Sequence, residues 1–475
     1  MVFSSFSFLA FFMPLVIMLH FLSKNIHWRN GVLLLFSVFF YSWGEPVWVL
    51  SMLFSTLVNY GFGLAISRST SAPARKIMLA LAAVVSLMFL AYFKYSSFVE
   101  NTVNALLGIH TVVPPKTLPI GISFYTFQIL TYTVDVYRGK TPVQKSPFLL
   151  LLYISFFPQL IAGPIVQYGD IEPMLMTRST SLDKFTSGMK RFIIGLAKKT
   201  LLANVCGKLL GTMAMAGAPE GLSVTGAWVG MVLFALQIYF DFSGYSDMAI
   251  GMARAFGFEL KENFNYPYVS KSISEFWRRW HMSLGAFFRD YLYIPLGGNK
   301  VGKWRLVMNL AVVWMLTGLW HGASWNFVVW GLYYGVIIIL ERLVYGKALE
   351  RLPSFTRIGY SLVLVLVGWA LFYYENLSMG MQHVGAMFGV GASGFIDDKT
   401  IFALKDKALF LPIALVACLP VKELVQKAIR APKRMPTFLV RAVPVVQYVA
   451  ISALLALTLL ALVGQSFNPF LYFRF

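Results

Sequence analysis

SISEFWRRWHMSLGAFFRDYLYIPLGGN, residues 272–299, and then, after a short basic link, LVMNLAVVWMLTGLWHGASWNFVVW, residues 306–330, place Arg278, Arg279, Arg289, Asp290, His281 and His321 among long apolar runs. Ionisable side chains are costly in hydrocarbon, so a chain that puts them at membrane depth uses them. His321 is the sharpest case: Leu306 to Leu319 leads into it and Ala323 to Leu340 leads out, neither carrying a charge.

Composition sets the surroundings. Of 475 residues, 58% are hydrophobic and 13% charged, with mean hydropathy +0.68. A soluble protein of this size carries about twice that charged fraction. Repeated apolar runs near the ~20 residues that cross a bilayer predict an all-α polytopic membrane protein. Candidate spans lie at about 5–22, 31–44, 47–66, 77–97, 118–136, 148–166, 187–210, 224–240, 306–320, 323–342, 356–374, 408–420 and 444–463. Phe6 to Leu22 lacks a basic leader and a small-residue cleavage site, and reads as the first spanning helix.

The net charge of +20 is scattered through interhelical loops. That is the pattern of loops facing anionic lipid headgroups, and it sets nucleic acid aside. Lys24, Arg29, Arg68, Arg75 and Lys76 put the N-terminus outside, and the Lys422–Arg441 loop, placed inside, sends the C-terminal tail outside. Cys206 and Cys418 show no metal or redox spacing, and no metal site is expected.

Several runs are broken. LPIGISFYTFQILTYTVDVYRGK (118–140) opens on Pro and Gly, and FFPQLIAGPIVQYGD (156–170) is interrupted at Pro158 and Gly163-Pro164, as a helix that enters and turns back would be. Broken helices at membrane depth persist only packed in protein or lining a cavity. AWVGMVLFALQIYFDFSGYSDMAIGMARAFGF, from Ala227, spans and then turns polar at Asp241, Ser243, Tyr245 and Asp247. After Pro267, Ser272 or Ser274 caps a helix whose stripe of Phe276, Trp280, Leu284 and Phe287 or Phe288 fits an interfacial amphipathic helix, the expected form, or else a spanning one. No internal repeat or linker is present, so residues 1–475 are expected to form one domain with an aromatic tail, 464–475.

YFDFSGYSDMAIGMARAFGF, NFNYPYVSKSISEFWRRWHMSLGAFFRDYLYIPLGGN and LTGLWHGASWNFVVWG together resemble the membrane-bound O-acyltransferase (MBOAT) superfamily, in its bacterial branch of alginate O-acetyltransferase membrane subunits and teichoic acid D-alanyl transferases. MVFSSFSFLAFFMP, LPIGISFYTFQ and FFPQLIAGPI carry the same likeness, so it covers essentially the whole chain. The resemblance implies a ring of about 11 transmembrane helices with re-entrant and interfacial helices around a tunnel, each span near 20 residues. It also implies a cytoplasmic acyl donor, acetyl-CoA or a carrier-protein thioester, with no permanently bound cofactor.

By that likeness His321 is the catalytic histidine. The chemistry agrees, because acyl transfer to a hydroxyl needs a base and imidazole titrates near neutral pH; the other reading is a buried histidine bonded to a carbonyl. His281 is the companion histidine, orienting the donor or lining the tunnel, or else reaching toward headgroups. Arg278, Arg279 and Arg289 suit the phosphates of a donor or, equally, those of lipids. Asp241 and Asp247 either face the acceptor or form structural ion pairs. Gly297-Gly298-Asn299 lacks a following Gly-Lys-Ser/Thr and reads as a turn. The tail SFNPFLYFRF resembles the C-terminal motif of the small partner in D-alanyl transfer, which makes Tyr472 an acyl relay; otherwise it is an interfacial anchor.

The expectation is an O-acyltransferase, most simply an O-acetyltransferase, of a bacterial cytoplasmic (inner) membrane. It passes acyl groups toward a secreted or cell-wall polysaccharide with an extracytoplasmic esterase-like partner. The alternatives are a polysaccharide-export component without covalent chemistry, and an enzyme acylating lipid or peptide.

Overall fold

The structure is a computed structural model that describes residues 1–161, 163–213, 221–421, 423 and 437–464, with side chains left aside for 437–444. The described residues form helices and no strand. Six helices among them are long and apolar enough to cross a membrane: Val49–Arg68, Ala72–Leu106, Val224–Ala255, Trp325–Glu350, Ser354–Tyr373 and Val445–Gly464. The first apolar run is a shorter helix, Phe8–Phe21. Other expected spans are broken into shorter helices: 148–166 becomes Pro147–Ser155 and Phe157–Leu160, interrupted at Phe156, and 187–210 passes through a π turn at Lys198–Ala203.

The chain forms two compact units, Met1–Phe192 with Tyr245–Glu262, and Ile193–Gly244 with Asn263–Phe475. In the first, caps begin the helices where the sequence offers them. The Asn25 side chain accepts from the His27 amide at 2.8 Å to open Ile26–Gly44, and Ser71 and Ser146 open Ala72–Leu90 and Pro147–Ser155. Gly121 opens Ile122–Tyr137 at φ +76°, where a Cβ would lie 2.9 Å from the Leu160 carbonyl oxygen. That helix is buried almost all round, and some of its polar groups are paired across the unit: Thr133 donates to Asn59, which donates to Ser86, each at 2.9 Å.

Buried arginines tie helix ends in the same unit. Arg178 donates to the Leu175 and Phe256 carbonyls, both at 3.1 Å, and to Asn30 Oδ1 at 2.6 Å. Arg29 donates to the Ser23 carbonyl at 2.8 Å and to Thr180 Oγ1 at 2.7 Å. Both place positive charge where helix carbonyls run out of partners.

In the second unit, Lys303–His321 packs against Trp325–Leu340 with almost no separation. A Cβ on Gly318 would meet the Phe327 carbonyl at 2.1 Å, and one on Gly331 would meet the Trp314 carbonyl at 2.2 Å, so only glycine allows the approach. This hairpin fixes the direction in which residue 321 leaves its helix.

Two expectations are corrected. The segment from Ser272 is not one interfacial helix but two short ones, Ile273–Arg279 and Met282–Phe288, with His281 between them in the left-handed region at φ 45°. Phe276, Trp280, Leu284 and Phe287, the stripe expected to lie on a membrane surface, are buried within the unit. Their apolar area has a protein partner, and the chain turns between the helices to follow it. Second, the helix from Val224 does not end at its polar residues: it runs 32 residues to Ala255, about 48 Å at 1.5 Å per residue. Its acids are each paired, as described below, and so do not interrupt it.

Candidate active site

His321 is the last residue of Lys303–His321, buried, with the rings of Trp320, Trp330 and Phe372 at 5.0, 5.0 and 5.3 Å between centroids. Position and enclosure follow from the sequence LWHG. The helix stops because Gly322 turns to extended backbone, and Phe327 lies where a Gly322 Cβ would be. The result is an imidazole held edge-on to aromatic faces.

His281 lies against the other neighbour of that site, with its ring 5.7 Å from Trp320 and 4.7 Å from Phe242. Trp320 thus touches both imidazoles. His281 Nδ1 is 3.1 Å from Asn263 Oδ1, and the same oxygen accepts from the Ser283 amide at 3.2 Å and the Ser283 hydroxyl at 2.9 Å. The Met282 amide donates to the Asn263 carbonyl at 2.9 Å. The αL backbone of a non-glycine residue costs on the order of 1 kcal/mol and persists where surrounding bonds over-determine it, as here. His281 lies outside the long spans, and burial pushes its imidazole down to about 3.

The helix leading to His281 is anchored by Glu341. Its buried carboxylate accepts from the Ile273 amide at 2.7 Å, the Ser274 amide at 2.9 Å, the Ser274 hydroxyl at 2.6 Å and the Tyr360 hydroxyl at 3.1 Å. A carboxylate at a helix N-terminus satisfies orphan amides and complements the dipole. Ser272 is the cap, as expected, accepting from Glu275 at 3.0 Å.

The other expected site residues separate. Arg279 pairs with Glu275 at 2.8 Å and bonds the Asn265 carbonyl at 3.1 Å; Arg289 pairs with Asp290 at 2.7 Å; Arg278 is exposed and has no ion-pair partner among the described residues. Asp241 forms a buried ion pair with Lys199 at 2.7 Å in the same unit as the histidines. Asp247 belongs to the other unit, where it pairs with Arg191 at 2.8 Å and Arg191 also holds Glu262. Gly297 and Gly298, at φ 105° and 54°, form the expected turn. Tyr472 lies outside the described residues, as does most of the Lys422–Arg441 loop.

Asn263, Ser283 and Glu341 were not singled out from the sequence. Asn263 stands in the polar stretch KENFNYPY, with no spacing that ties it to a histidine 18 residues on. Glu341 falls at the end of the expected 323–342 span, and its partners come from 67 and 68 residues earlier.

Fold and site define a polytopic helical membrane protein with a buried, histidine-bearing polar centre in its second unit. The model of the MBOAT, membrane-bound O-acyltransferase family, matches residues 132–381. The probable alginate O-acetylase AlgI of Azotobacter vinelandii is 37% identical over 504 residues, covering 100% of both chains. The peptidoglycan O-acetyltransferase of Helicobacter pylori is 32% identical over 78% of this chain and 75% of its own. The teichoic acid D-alanyltransferase of Bacillus subtilis is 30% identical over 51% of this chain and 64% of its own. The chain belongs to the membrane-bound O-acyltransferase family, and is a multi-pass membrane acyltransferase that works on an acyl donor and an acceptor.

Proposed function

We propose that the protein is an O-acetyltransferase of a bacterial cytoplasmic membrane, acting as one membrane domain over residues 1–475. It takes an acetyl group from a cytoplasmic thioester, acetyl-CoA or a carrier-protein thioester, and delivers it across the membrane for O-acetylation of an extracellular or cell-wall polysaccharide. The observation that carries this reading is the pair of buried imidazoles, His321 and His281, on the shared indole of Trp320, in a chain similar over its whole length to an alginate O-acetylase.

In this mechanism His321 accepts the proton of the attacking hydroxyl as its oxygen bonds to the acyl carbon. The carbon–sulfur bond breaks, the thiolate leaves, and the proton held on His321 passes to the sulfur, so the base is regenerated. His281 supports the attack from the other side of Trp320. The aromatic enclosure keeps water from the thioester, which it would otherwise hydrolyse. Arg278, free of an ion pair among the described residues, is the arginine available for donor phosphates. Tyr472 acts as the first acceptor and hands the acetyl group to an extracytoplasmic esterase-like transferase. Asp241 serves this site indirectly, as the counter-charge of Lys199.

The test is mass spectrometry of the purified protein after incubation with isotopically labelled acetyl-CoA, with parallel measurement of polysaccharide O-acetyl content in cells. The native chain is expected to carry label on its C-terminal peptide, lost in both His321→Ala and Tyr472→Phe. Label retained in Tyr472→Phe removes the relay. Normal O-acetylation by a His321→Ala protein at normal abundance overturns the enzymatic role of the imidazole.

A further inference from the structure

The second unit contains two histidines whose hydrogen bonds can be compared directly. His383, fully buried, has both nitrogens engaged: Nδ1 lies 3.0 Å from the Tyr374 hydroxyl and Nε2 lies 3.2 Å from the Ala227 carbonyl. A carbonyl only accepts, so His383 carries its proton on Nε2 and accepts at Nδ1. That is a structural histidine, closed at both ends.

His281 is closed at one end only. Its Nδ1 meets Asn263 Oδ1 at 3.1 Å, with the Ser283 hydroxyl, which donates to that same oxygen at 2.9 Å, farther off at 3.5 Å, while Nε2, also buried, has no hydrogen-bond partner among the described residues. The identity of the Asn263 atom is fixed by its other neighbour. A backbone amide only donates, and the Ser283 amide points at the same atom, so that atom is the carbonyl oxygen and the amide group cannot be turned round. An oxygen acceptor facing Nδ1 puts the imidazole proton there. The rings of Phe242 and Trp320 and the neutral groups of Asn263 and Ser283 lie against the imidazole, no charged side chain among the described residues bears on it, and burial keeps it neutral. A neutral imidazole has one N–H, so Nε2 is a bare lone pair.

We propose that Asn263 is a positioning residue for acyl transfer: by holding the His281 proton on Nδ1, it leaves Nε2 a hydrogen-bond acceptor in the buried site, unable to donate to the acyl carbonyl oxygen, while the proton of the attacking hydroxyl goes to His321. The assignment rests on the supporting role given to His281 above. The left-handed backbone at 281 and the Met282 amide bond to the Asn263 carbonyl belong to the same device, since they lock the ring and its orienting amide into one unit. His383 shows the contrasting arrangement in the same unit, with both nitrogens satisfied.

The experiment is nitrogen NMR of the detergent-solubilised full chain labelled with 15N only in its six histidines, with His281→Gln assigning the resonances. His281 is expected to show an imine-type Nε2 and a protonated Nδ1 at neutral pH. Asn263→Leu, which removes the acceptor, should mix the two tautomers and lower polysaccharide O-acetylation at least tenfold at unchanged protein abundance. Asn263→Asp keeps an acceptor toward Nδ1 and adds a charge, so it should preserve the tautomer, retain more activity than Asn263→Leu, and move the acidic limb of the pH profile upward by about a unit or more. A purely structural role for Asn263 would lower activity without moving that limb, and would overturn the proposal. So would a native His281 protonated on Nε2, whatever the activities. Full transfer by His281→Gln would instead remove the ring from the reaction, and with it the function proposed for that histidine, while leaving the tautomer readout standing.

Discussion

At the scale of single residues, His321 and the Lys199–Asp241 pair behave in opposite ways when changed. His321→Ala removes a proton acceptor from an aromatic enclosure without stranding a charge. Transfer should fall by roughly 10² or more while the thermal midpoint in detergent changes little. Lys199→Met strands the buried Asp241 carboxylate, since the two meet at 2.7 Å with both side chains almost inaccessible. Breaking such a pair costs roughly 3–5 kcal/mol, and the double change Lys199→Met with Asp241→Leu should recover most of it. Thermal unfolding of the two variants checks this. A double variant no more stable than the single one would show that the pair contributes more than mutual neutralisation.

At the scale of elements, the histidine-bearing helices are held by a close crossing and by a carboxylate clamp. Gly318→Val drives a side chain into the Phe327 carbonyl, which would stand 2.1 Å from the new Cβ, and the facing helix has no room to withdraw without moving His321. Destabilisation of ~2 kcal/mol or more is expected, with loss of transfer, read as a lowered thermal midpoint and O-acetyl content. Glu341→Ala leaves the Ile273 and Ser274 amides of a buried helix end without their acceptor. Each such donor costs about 1–3 kcal/mol, and the helix that delivers His281 should loosen. Glu341→Gln, which retains one acceptor oxygen, should lose less than Glu341→Ala in the same unfolding measurement.

At the scale of the whole molecule, acid is the expected weakness. Burial holds His281 down near 3 and His383 near 4, below the ordinary imidazole value of about 6.5. The unfolded chain therefore takes up protons that the folded chain refuses as pH drops below about 6.5, and stability present above that pH is lost through the window down to these folded values. Each ring should steepen the loss by up to roughly 1.4 kcal/mol per pH unit. Unfolding of the solubilised protein at pH 7.5 and pH 5 measures the slope, which should be shallower in His383→Gln. A slope unchanged in His383→Gln would mean that this ring is not held neutral.

Much of this organisation was legible before any fold was known. Helix after helix announces itself by apolar runs, and the cap at Ser272 was readable because it needs only neighbours within three residues; the equally local caps at Asn25, Ser71 and Ser146 were not singled out. His321 could be singled out because hydrocarbon penalises an ionisable group wherever it is placed along the chain. Three features were not readable: the break at His281, the continuity of Val224–Ala255 through its acids, and the burial of the Phe276–Phe288 stripe. Each depends on a partner distant in sequence, Asn263 for the first, Lys199 and Arg191 for the second, and the packed aromatic core for the third.

By itself, then, the sequence determined that the chain lives in a membrane as helices, and it drew attention to two of its six imidazoles. Hydropathy and desolvation are properties of residues and need no partner. Only the tertiary structure decided that Asn263 hydrogen-bonds His281, that Glu341 clamps the helix before it, and that Trp320 packs against both histidines. Hydrogen bonds act over about 3 Å, and nothing in the linear order of residues states which distant groups will come that close.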